Sequence, residues 1–382
     1  MEATRTHPPT AGRTRSRVRG ALATVLPALL LAGCSVGPTP DSAPVADGPF
    51  APHGAMGYVV CPTSVTPLEL ATRTPEAPIP LPVRGTPPLG SFAITTSPDG
   101  RTAYVVTQTA TARGSTDDVV IPIDLVTQRA ERPIVLPGHG ATRAVVVMHD
   151  GRTVLAGDGT TVVPVDPATR SVGTPLDLGP GRTVAGMAMS PTSSTLYVLV
   201  QDGVVPVDTS TARAGTPFLT GLGLSSVTSP HGVAVSADGA TVYVVGQGGA
   251  DFGGRLVPID PAAGTVGAAT GFDQFGITDP AAVAVTADGS TVLVADSANN
   301  WIVTVPVADL GTPSGTVRLP TGGSAASAGT DHPSDLVVGP GTTGAFVVSG
   351  LDSVLPFAPA TGAFGRPIRV CEGASSLAVT AG

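Results

Sequence analysis

Residues 233–245 read VAVSADGATVYVV, which is two short apolar segments joined by a Ser-Ala-Asp-Gly turn. Val and Tyr favour extended backbone, and an Asp-Gly turn between two such segments is typical of a β-hairpin, because glycine adopts a positive φ without a Cβ clash. Related hairpin patterns recur at residues 93–106, 145–156, 187–200, 283–295 and 336–348. The chain is therefore predicted to be an array of β-hairpins.

Each hairpin is followed by a third segment in which proline lies between hydrophobic residues, as in VVPVDPAT at 162–169. A fourth short segment, such as RPIVLPG at 132–138, completes the repeat. Four antiparallel strands every 40–55 residues form one blade of a β-propeller. The seven prolines, 42 to 55 residues apart, are Pro67, Pro122, Pro164, Pro206, Pro258, Pro306 and Pro356.

The sequence thus predicts an all-β, seven-bladed β-propeller with four-stranded antiparallel blades over residues 55–382. The first repeat begins with its second strand, GYVVCP at 57–62, and the missing inner strand is supplied by SSLAVTAG at 375–382. We expect this C-terminal strand to join blade 1 and close the ring, which removes open sheet edges. Because proline lacks an N–H, we also expect a local bulge in each third strand.

The repeats resemble the YVTN-type β-propellers, a broad bacterial family of seven-bladed surface and periplasmic proteins. The resemblance covers residues 55–382 and implies the fold, but no activity, since members of the family differ in function. The family often has serine where this chain has the third-strand proline. The residues that carry the resemblance are Tyr58-Val59-Val60, Tyr104-Val105-Val106-Thr107 and Tyr243-Val244-Val245, with the SPDG and SADG turns.

The N-terminal segment has the pattern of a lipoprotein signal peptide. Five arginines precede an apolar stretch of 12 residues at 21–32, which is too short to span a bilayer permanently. It ends in Leu31-Ala32-Gly33-Cys34, which resembles the bacterial lipobox. We expect a signal peptide at 1–33, lipidation of Cys34 and a disordered tether at 34–54, which would anchor the protein extracytoplasmically to the cell membrane. The alternative is an ordinary secretory signal with a chance cysteine.

Two cysteines remain outside this segment. Cys61 ends the second strand of blade 1, and Cys371 ends the outer strand of blade 7. Blades 1 and 7 are neighbours in a closed ring, and leftover cysteines outside the cytoplasm normally pair. We predict a Cys61–Cys371 disulfide, with two free thiols as the alternative.

Candidate site residues lie in the loops of one face. His231, Asp279 and Asp335 could act as acid–base or metal-binding groups at a central site, or they could cap turns and contact solvent. No pair has a ligand-like spacing, so the sequence predicts neither a metal site nor a cofactor. The periodic Asp124, Asp166, Asp208 and Asp260 are expected to stabilise turns within their blades.

Composition narrows the function further. After Cys34 the chain carries 15 Arg against 27 acidic residues, a net charge of −12, which disfavours nucleic acid as a partner. Nucleophile-elbow, zinc-protease, P-loop and dinucleotide motifs are absent from the sequence. We expect a monomeric, non-enzymatic binding or scaffolding propeller with an unknown protein or small-molecule ligand on one face. The alternative is a lactonase-like hydrolase that acts at the central channel.

Overall fold

The computed structural model describes residues 50–381 except 86–92, 113–114, 139–141, 224–231, 249–252, 321–331, 340, 343 and 350–351. Nearly all regular structure in these residues is β-strand, with two short 3-10 helices at Asp273–Phe275 and Val307–Asp309. Among the described residues, no helix is long and apolar enough to cross a bilayer.

The strands form seven antiparallel sheets, so the predicted seven-bladed β-propeller is confirmed. The inner strands of blades 1 to 7 are Ser376–Thr380, Ala93–Thr96, Ala144–Val147, Gly186–Met189, Val233–Val235, Pro280–Val285 and Pro333–Val337. The second strands are Met56–Cys61, Thr102–Ala110, Val154–Asp158, Thr195–Val200, Val242–Gly248, Thr291–Asp296 and Ala345–Ser349. The third strands are Ser64–Glu69, Thr116–Asp124, Thr161–Asp166, Gly203–Asp208, Gly253–Asp260, Trp301–Pro306 and Ser353–Ala358.

The outer strand of blade 6 is continuous, Gly315–Arg318, whereas those of the other blades consist of two short pieces. In blades 1, 2 and 3 these are Thr74–Pro75 with Ile79–Pro80, Arg129–Ala130 with Ile134–Val135, and Ser171–Val172 with Leu176–Asp177. In blades 4, 5 and 7 they are Arg213–Ala214 with Phe218–Leu219, Thr265–Val266 with Thr270–Gly271, and Ala363–Phe364 with Ile368–Arg369. Blade 5 has an additional short strand, Leu222–Gly223, paired with its second strand.

The ring closes as predicted. The C-terminal strand Ser376–Thr380 pairs antiparallel with Met56–Cys61, with Thr380 opposite Met56. The predicted disulfide is also present: Cys61 and Cys371 are bonded, with their Cα atoms 6.1 Å apart. The two ends of the domain are therefore joined within blade 1 by backbone hydrogen bonds, and blade 7 is joined to blade 1 by the disulfide.

The hydrophobic core lies between the blades. Seven clusters of buried residues fill the spaces between neighbouring sheets. Between blades 2 and 3, for example, Tyr104 and Val120 pack against Val154 and Ala156. Side chains of a strand point alternately to its two faces. Because both faces of each blade are covered, the second strands are continuous apolar runs rather than alternating ones.

The third-strand prolines do not bulge the strands that contain them, so that expectation is wrong. In blade 4, Pro206 lies opposite Tyr197 in a register that runs without a shift. Its carbonyl accepts a hydrogen bond from the outer-strand Gly215 N–H at 2.7 Å. Three outer-strand residues, 215–217, lie across from the two residues 205–206. The extra residue is therefore in the outer strand. The proline nitrogen faces that strand and has no N–H to donate to it.

Blade 6 departs from this pattern, and this departure accounts for its continuous outer strand. In the other blades this third-strand position holds proline. In blade 6 it holds Thr304, which pairs with Leu293 of the second strand. Pro306 lies two residues further on, opposite Thr291, and leads into the 3-10 helix. The assignment of Pro306 to the same place as the other six prolines is therefore corrected.

The folded domain extends into the segment that composition assigns to the tether. Phe50 and Ala51 are buried in the cluster between blades 7 and 1. A Cβ atom at Gly344 or Gly365 would collide with the Phe50 ring, and the Arg73 guanidinium lies 5.2 Å from the centre of that ring. The tether predicted from composition therefore overlaps the propeller by several residues.

Candidate functional site

The central channel is the concave site that the inner strands create. It contains a cavity of about 360 Å³ lined by apolar side chains such as Met187, Val235 and Leu377. Among the described residues that line it, Thr95 and Thr96 supply the polar side chains and none is ionisable. These described lining residues offer apolar contacts, hydroxyl groups and backbone, and none of them is a general acid or base.

The predicted candidates Asp279 and Asp335 are both buried, and each serves a different junction between blades. The Asp279 carboxylate accepts hydrogen bonds from the Ser297 hydroxyl at 2.8 Å and from the Gln247 amide at 3.3 Å, which connects blades 5 and 6.

The Asp335 carboxylate accepts hydrogen bonds from the Ser376 hydroxyl at 3.0 Å and the Leu377 N–H at 2.8 Å, which connects blades 7 and 1. A β-bulge between Pro333 and Asp335 interrupts the register of its strand. The third candidate, His231, lies outside the described residues, as does Cys34.

One position in the second strand reaches the connection that arrives from the previous blade in blades 1, 3 and 6; we name it the clasp position. In each second strand one residue pairs with the third-strand proline, or with Thr304 in blade 6. The clasp position lies three residues further along the second strand. In blades 1 to 7 it is Cys61, Thr107, Asp158, Val200, Gly246, Asp296 and Ser349.

Asp296 shows what the clasp position does. Its carboxylate accepts backbone hydrogen bonds from Thr278, Asp279 and Asn299 at 3.2, 2.7 and 2.9 Å. Burial raises the pKa of Asp296 above its usual value, and the nearby Asp279 carboxylate adds to this, while the backbone donors oppose it. In blade 1 the same position holds Cys61, so its disulfide is the covalent counterpart of these hydrogen bonds.

Sequence reasoning did not single out the acidic clasp residues or a further buried acid, Asp118 in the third strand of blade 2. A signal for the clasp residues was available, because alignment of YVVC at 58–61 with LVAD at 293–296 places Cys61 on Asp296. The signal for Asp118 is absent, since an Asp at a strand start is ordinarily exposed.

The opposite face carries the periodic aspartates in their predicted role. Asp124 accepts the N–H of Val126 at 2.8 Å, and Asp208 accepts that of Ser210 at 2.9 Å. Hydrogen bonds from Ser210 and Thr211 lower the pKa of Asp208 to about 2. These carboxylates stabilise the turns between third and outer strands.

Two remaining features are structural in the described part of the chain. Trp301 is half-buried and packs in the cluster between blades 5 and 6, while the Asn299 amide donates to the Gly276 carbonyl at 2.8 Å. Among the described residues there is no group of three His, Cys, Asp or Glu side chains arranged to hold a metal.

No protein-family model and no curated protein sequence matches the chain. Solved structures do match, and three of them have a TM-score of 0.61. Hydrazine synthase from Kuenenia stuttgartiensis is 18% identical, and the match covers 78% of this chain and 91% of that one. A functionally unknown protein from Desulfotomaculum acetoxidans is 14% identical, and a proposed 6-phosphogluconolactonase from Bacteroides uniformis is 15% identical; both matches cover 85% of this chain and 99% of the other. At these identities the likeness shows the propeller fold alone.

Proposed function

We propose that the chain is a binding or scaffolding propeller with no catalysis of its own, held outside the cytoplasm by a lipid on Cys34. The observation that carries the proposal is the described part of the channel wall, which joins apolar side chains to the Thr95 and Thr96 hydroxyls and includes no ionisable residue. The buried acids Asp279 and Asp335 make hydrogen bonds between blades. The resemblance to YVTN-type propellers supports the extracytoplasmic placement.

The channel favours an uncharged ligand. A cavity of about 360 Å³ falls within the ordinary size of small-molecule sites. An ion that entered it would lose its water without gaining an opposite charge from the lining side chains, which is costly. The ligand is therefore a small neutral molecule, or an apolar side chain presented by a protein partner.

Thermal unfolding of the full-length chain in detergent tests this choice. Neutral sugars, lactones and cell-wall fragments should include a compound that raises Tm, whereas their charged analogues should not. The variant Thr95→Val/Thr96→Val keeps the shape of the channel but removes its hydroxyls, so it should weaken the shift. A shift that the variant leaves unchanged would place binding outside the channel.

The lipid anchor is tested separately. Cells fed a labelled fatty acid should incorporate it into the wild-type protein, which should fractionate with membranes. Cys34→Ser should lose the label and leave the membrane fraction, while Cys371→Ser should retain both. An unlabelled wild-type protein would refute the anchor without affecting the channel proposal.

Hydrolysis at the channel is the competing function, since one structurally similar protein is a proposed 6-phosphogluconolactonase. Lactone hydrolysis by the full-length chain that is abolished by Asp279→Asn or Asp335→Asn would replace the binding proposal. Both variants must retain the wild-type circular dichroism spectrum, because both carboxylates also join blades.

A further inference from the structure

Buried carboxylates at three junctions between blades can be compared directly. At the junction of blades 5 and 6, both oxygens of Asp279 and of Asp296 accept hydrogen bonds from protein donors. At the junction of blades 7 and 1, both oxygens of Asp335 do so as well. This is the ordinary situation, because an unpaired buried carboxylate oxygen is costly.

The junction of blades 2 and 3 differs. Asp118 is 1% exposed, and its Oδ1 accepts from the Gln108 amide at 2.9 Å and the Thr142 N–H at 3.4 Å. Among the described residues its Oδ2 has no hydrogen-bond partner, and neither has the Oγ1 of Thr142, which is 0% exposed. Gln108 occupies the place that Gln247 occupies in blade 5, where Gln247 bonds to a fully satisfied Asp279.

A second carboxylate faces the same junction. Val154 and Ala156 point toward blade 2, and Asp158 at the clasp position follows them in the alternation of the strand. A Cβ atom at Gly138 would overlap the Asp158 carboxylate, which shows how closely the connection from blade 2 passes it. None of the ion pairs between described residues involves Asp118.

We propose that Asp118 Oδ2, Thr142 Oγ1 and the Asp158 carboxylate bind a Ca²⁺ ion between blades 2 and 3. Carboxylate and hydroxyl oxygens are hard donors, which favours a group 2 cation over a transition metal. Ca²⁺ accepts irregular coordination by six to eight oxygens, whereas Mg²⁺ demands an octahedron and gives up its water reluctantly. A buried, irregular set of oxygens therefore suits Ca²⁺.

The ion would act as the clasp of this junction. Two carboxylates would balance its charge. Because the three side chains supply too few oxygens for Ca²⁺, backbone carbonyl oxygens would complete the coordination. It would tie the third strand of blade 2 to the connection that enters blade 3. Asp296 ties blade 6 to its incoming connection by hydrogen bonds, and Cys61 ties blade 1 by the disulfide.

The test is calcium titration of the full-length chain after treatment with EDTA. Calorimetry measures Ca²⁺ binding, and thermal unfolding measures Tm. The wild type should bind one Ca²⁺ at this junction and unfold at a higher Tm with Ca²⁺ than with EDTA. Asp118→Asn and Thr142→Val are nearly isosteric and should each weaken Ca²⁺ binding, Asp118→Asn by about tenfold or more. Equal concentrations of Mg²⁺ should raise Tm less.

Asp335→Asn is the matched control, because it alters a buried carboxylate at another junction. It should lower Tm equally with Ca²⁺ and with EDTA and leave the Ca²⁺ affinity unchanged. Absence of Ca²⁺ binding in the wild type would overturn the proposal and leave an ordered water between Asp118 and Thr142. Binding that neither Asp118→Asn nor Thr142→Val weakens would also overturn it, since the ion would then lie elsewhere.

Discussion

Ala212 holds a backbone conformation that residues with a side chain rarely adopt. Its φ is +51°, and the equivalent positions before the outer strands of blades 5 and 7 are Gly264 and Gly362, with φ of +70° and +66°. The left-handed region costs a residue with a Cβ about 1 kcal/mol more than glycine. Ala212→Gly should therefore raise the free energy of unfolding by up to about 1 kcal/mol, measured by urea denaturation.

Gly264→Ala is the reverse experiment at the matching place in blade 5. No atom lies within 4 Å of a Cβ added at Gly264, so only backbone strain changes. The free energy of unfolding should fall by about 1 kcal/mol. If both substitutions shift stability in the same direction, local strain does not govern this turn.

The turn acids make the stability of the fold depend on pH. Asp288 accepts hydrogen bonds from the Thr286 hydroxyl and from the N–H and hydroxyl of Ser290, which lower its pKa to about 2. Because the folded-state pKa lies below the unfolded-state value, the carboxylate stabilises the fold above about pH 4 and loses this effect toward pH 2. Asp288→Asn should flatten the fall of the urea midpoint over this range.

Thr286→Val serves as the control for the cause of that shift. It removes the hydroxyl donor that lowers the Asp288 pKa most, so the acid transition should move to higher pH. A fall of the urea midpoint between pH 4 and pH 2 that is the same in wild type and Asp288→Asn would contradict the assignment.

At the scale of the strand and its connections, Asp296 at the clasp position fixes blade 6 to the connection from blade 5. Asp296→Val would introduce the residue that blade 4 has there, Val200, and would leave the backbone N–H groups of Thr278, Asp279 and Asn299 without acceptors. We expect a loss of about 3 kcal/mol or more in the free energy of unfolding.

Asp296→Asn provides the comparison, since the amide oxygen can still accept part of these bonds and the loss should be smaller. Denaturant midpoints of the two variants measure the difference. Equal losses would mean that the volume of the side chain, rather than its acceptor capacity, holds the connection.

The proline in six of the third strands also acts at the scale of the element. It keeps the inner three strands in register and places the irregularity in the outer strand. A split outer strand is a poor template for another strand, so these rims are protected from edge-to-edge association. Blade 6, with Thr304 and the continuous strand Gly315–Arg318, lacks this protection.

For the whole molecule, closure of the ring is the long-range event. The disulfide joins Cys61 to Cys371 across 310 residues, and chain entropy gives a cross-link of this length a stabilisation of a few kcal/mol, up to about 5. Cys371→Ser should lower the free energy of unfolding by that order. Reductant should destabilise the wild type and leave the Cys61→Ser/Cys371→Ser variant unchanged. Equal stability of the two proteins without reductant would show that strand pairing alone closes the ring.

The number of blades, the order of strands and the pairing of the C-terminal strand with blade 1 were all determined by the sequence. They follow from local signals: the short apolar segments, the Asp-Gly turns and the spacing of the repeats. The disulfide followed in turn, because a closed ring makes blades 1 and 7 neighbours and leaves two cysteines on them.

The details at the junctions were decided only by the tertiary structure. Whether Asp118, Asp279 and Asp335 face solvent or a neighbouring blade depends on donors that belong to other strands and connections, such as Thr142 and Leu377. The place of Thr304 depends on the pairing register, and the burial of Phe50 depends on Gly344 and Gly365, which lie far away in the sequence. A repeat pattern describes each blade separately, whereas burial and hydrogen bonding at a junction depend on two blades at once.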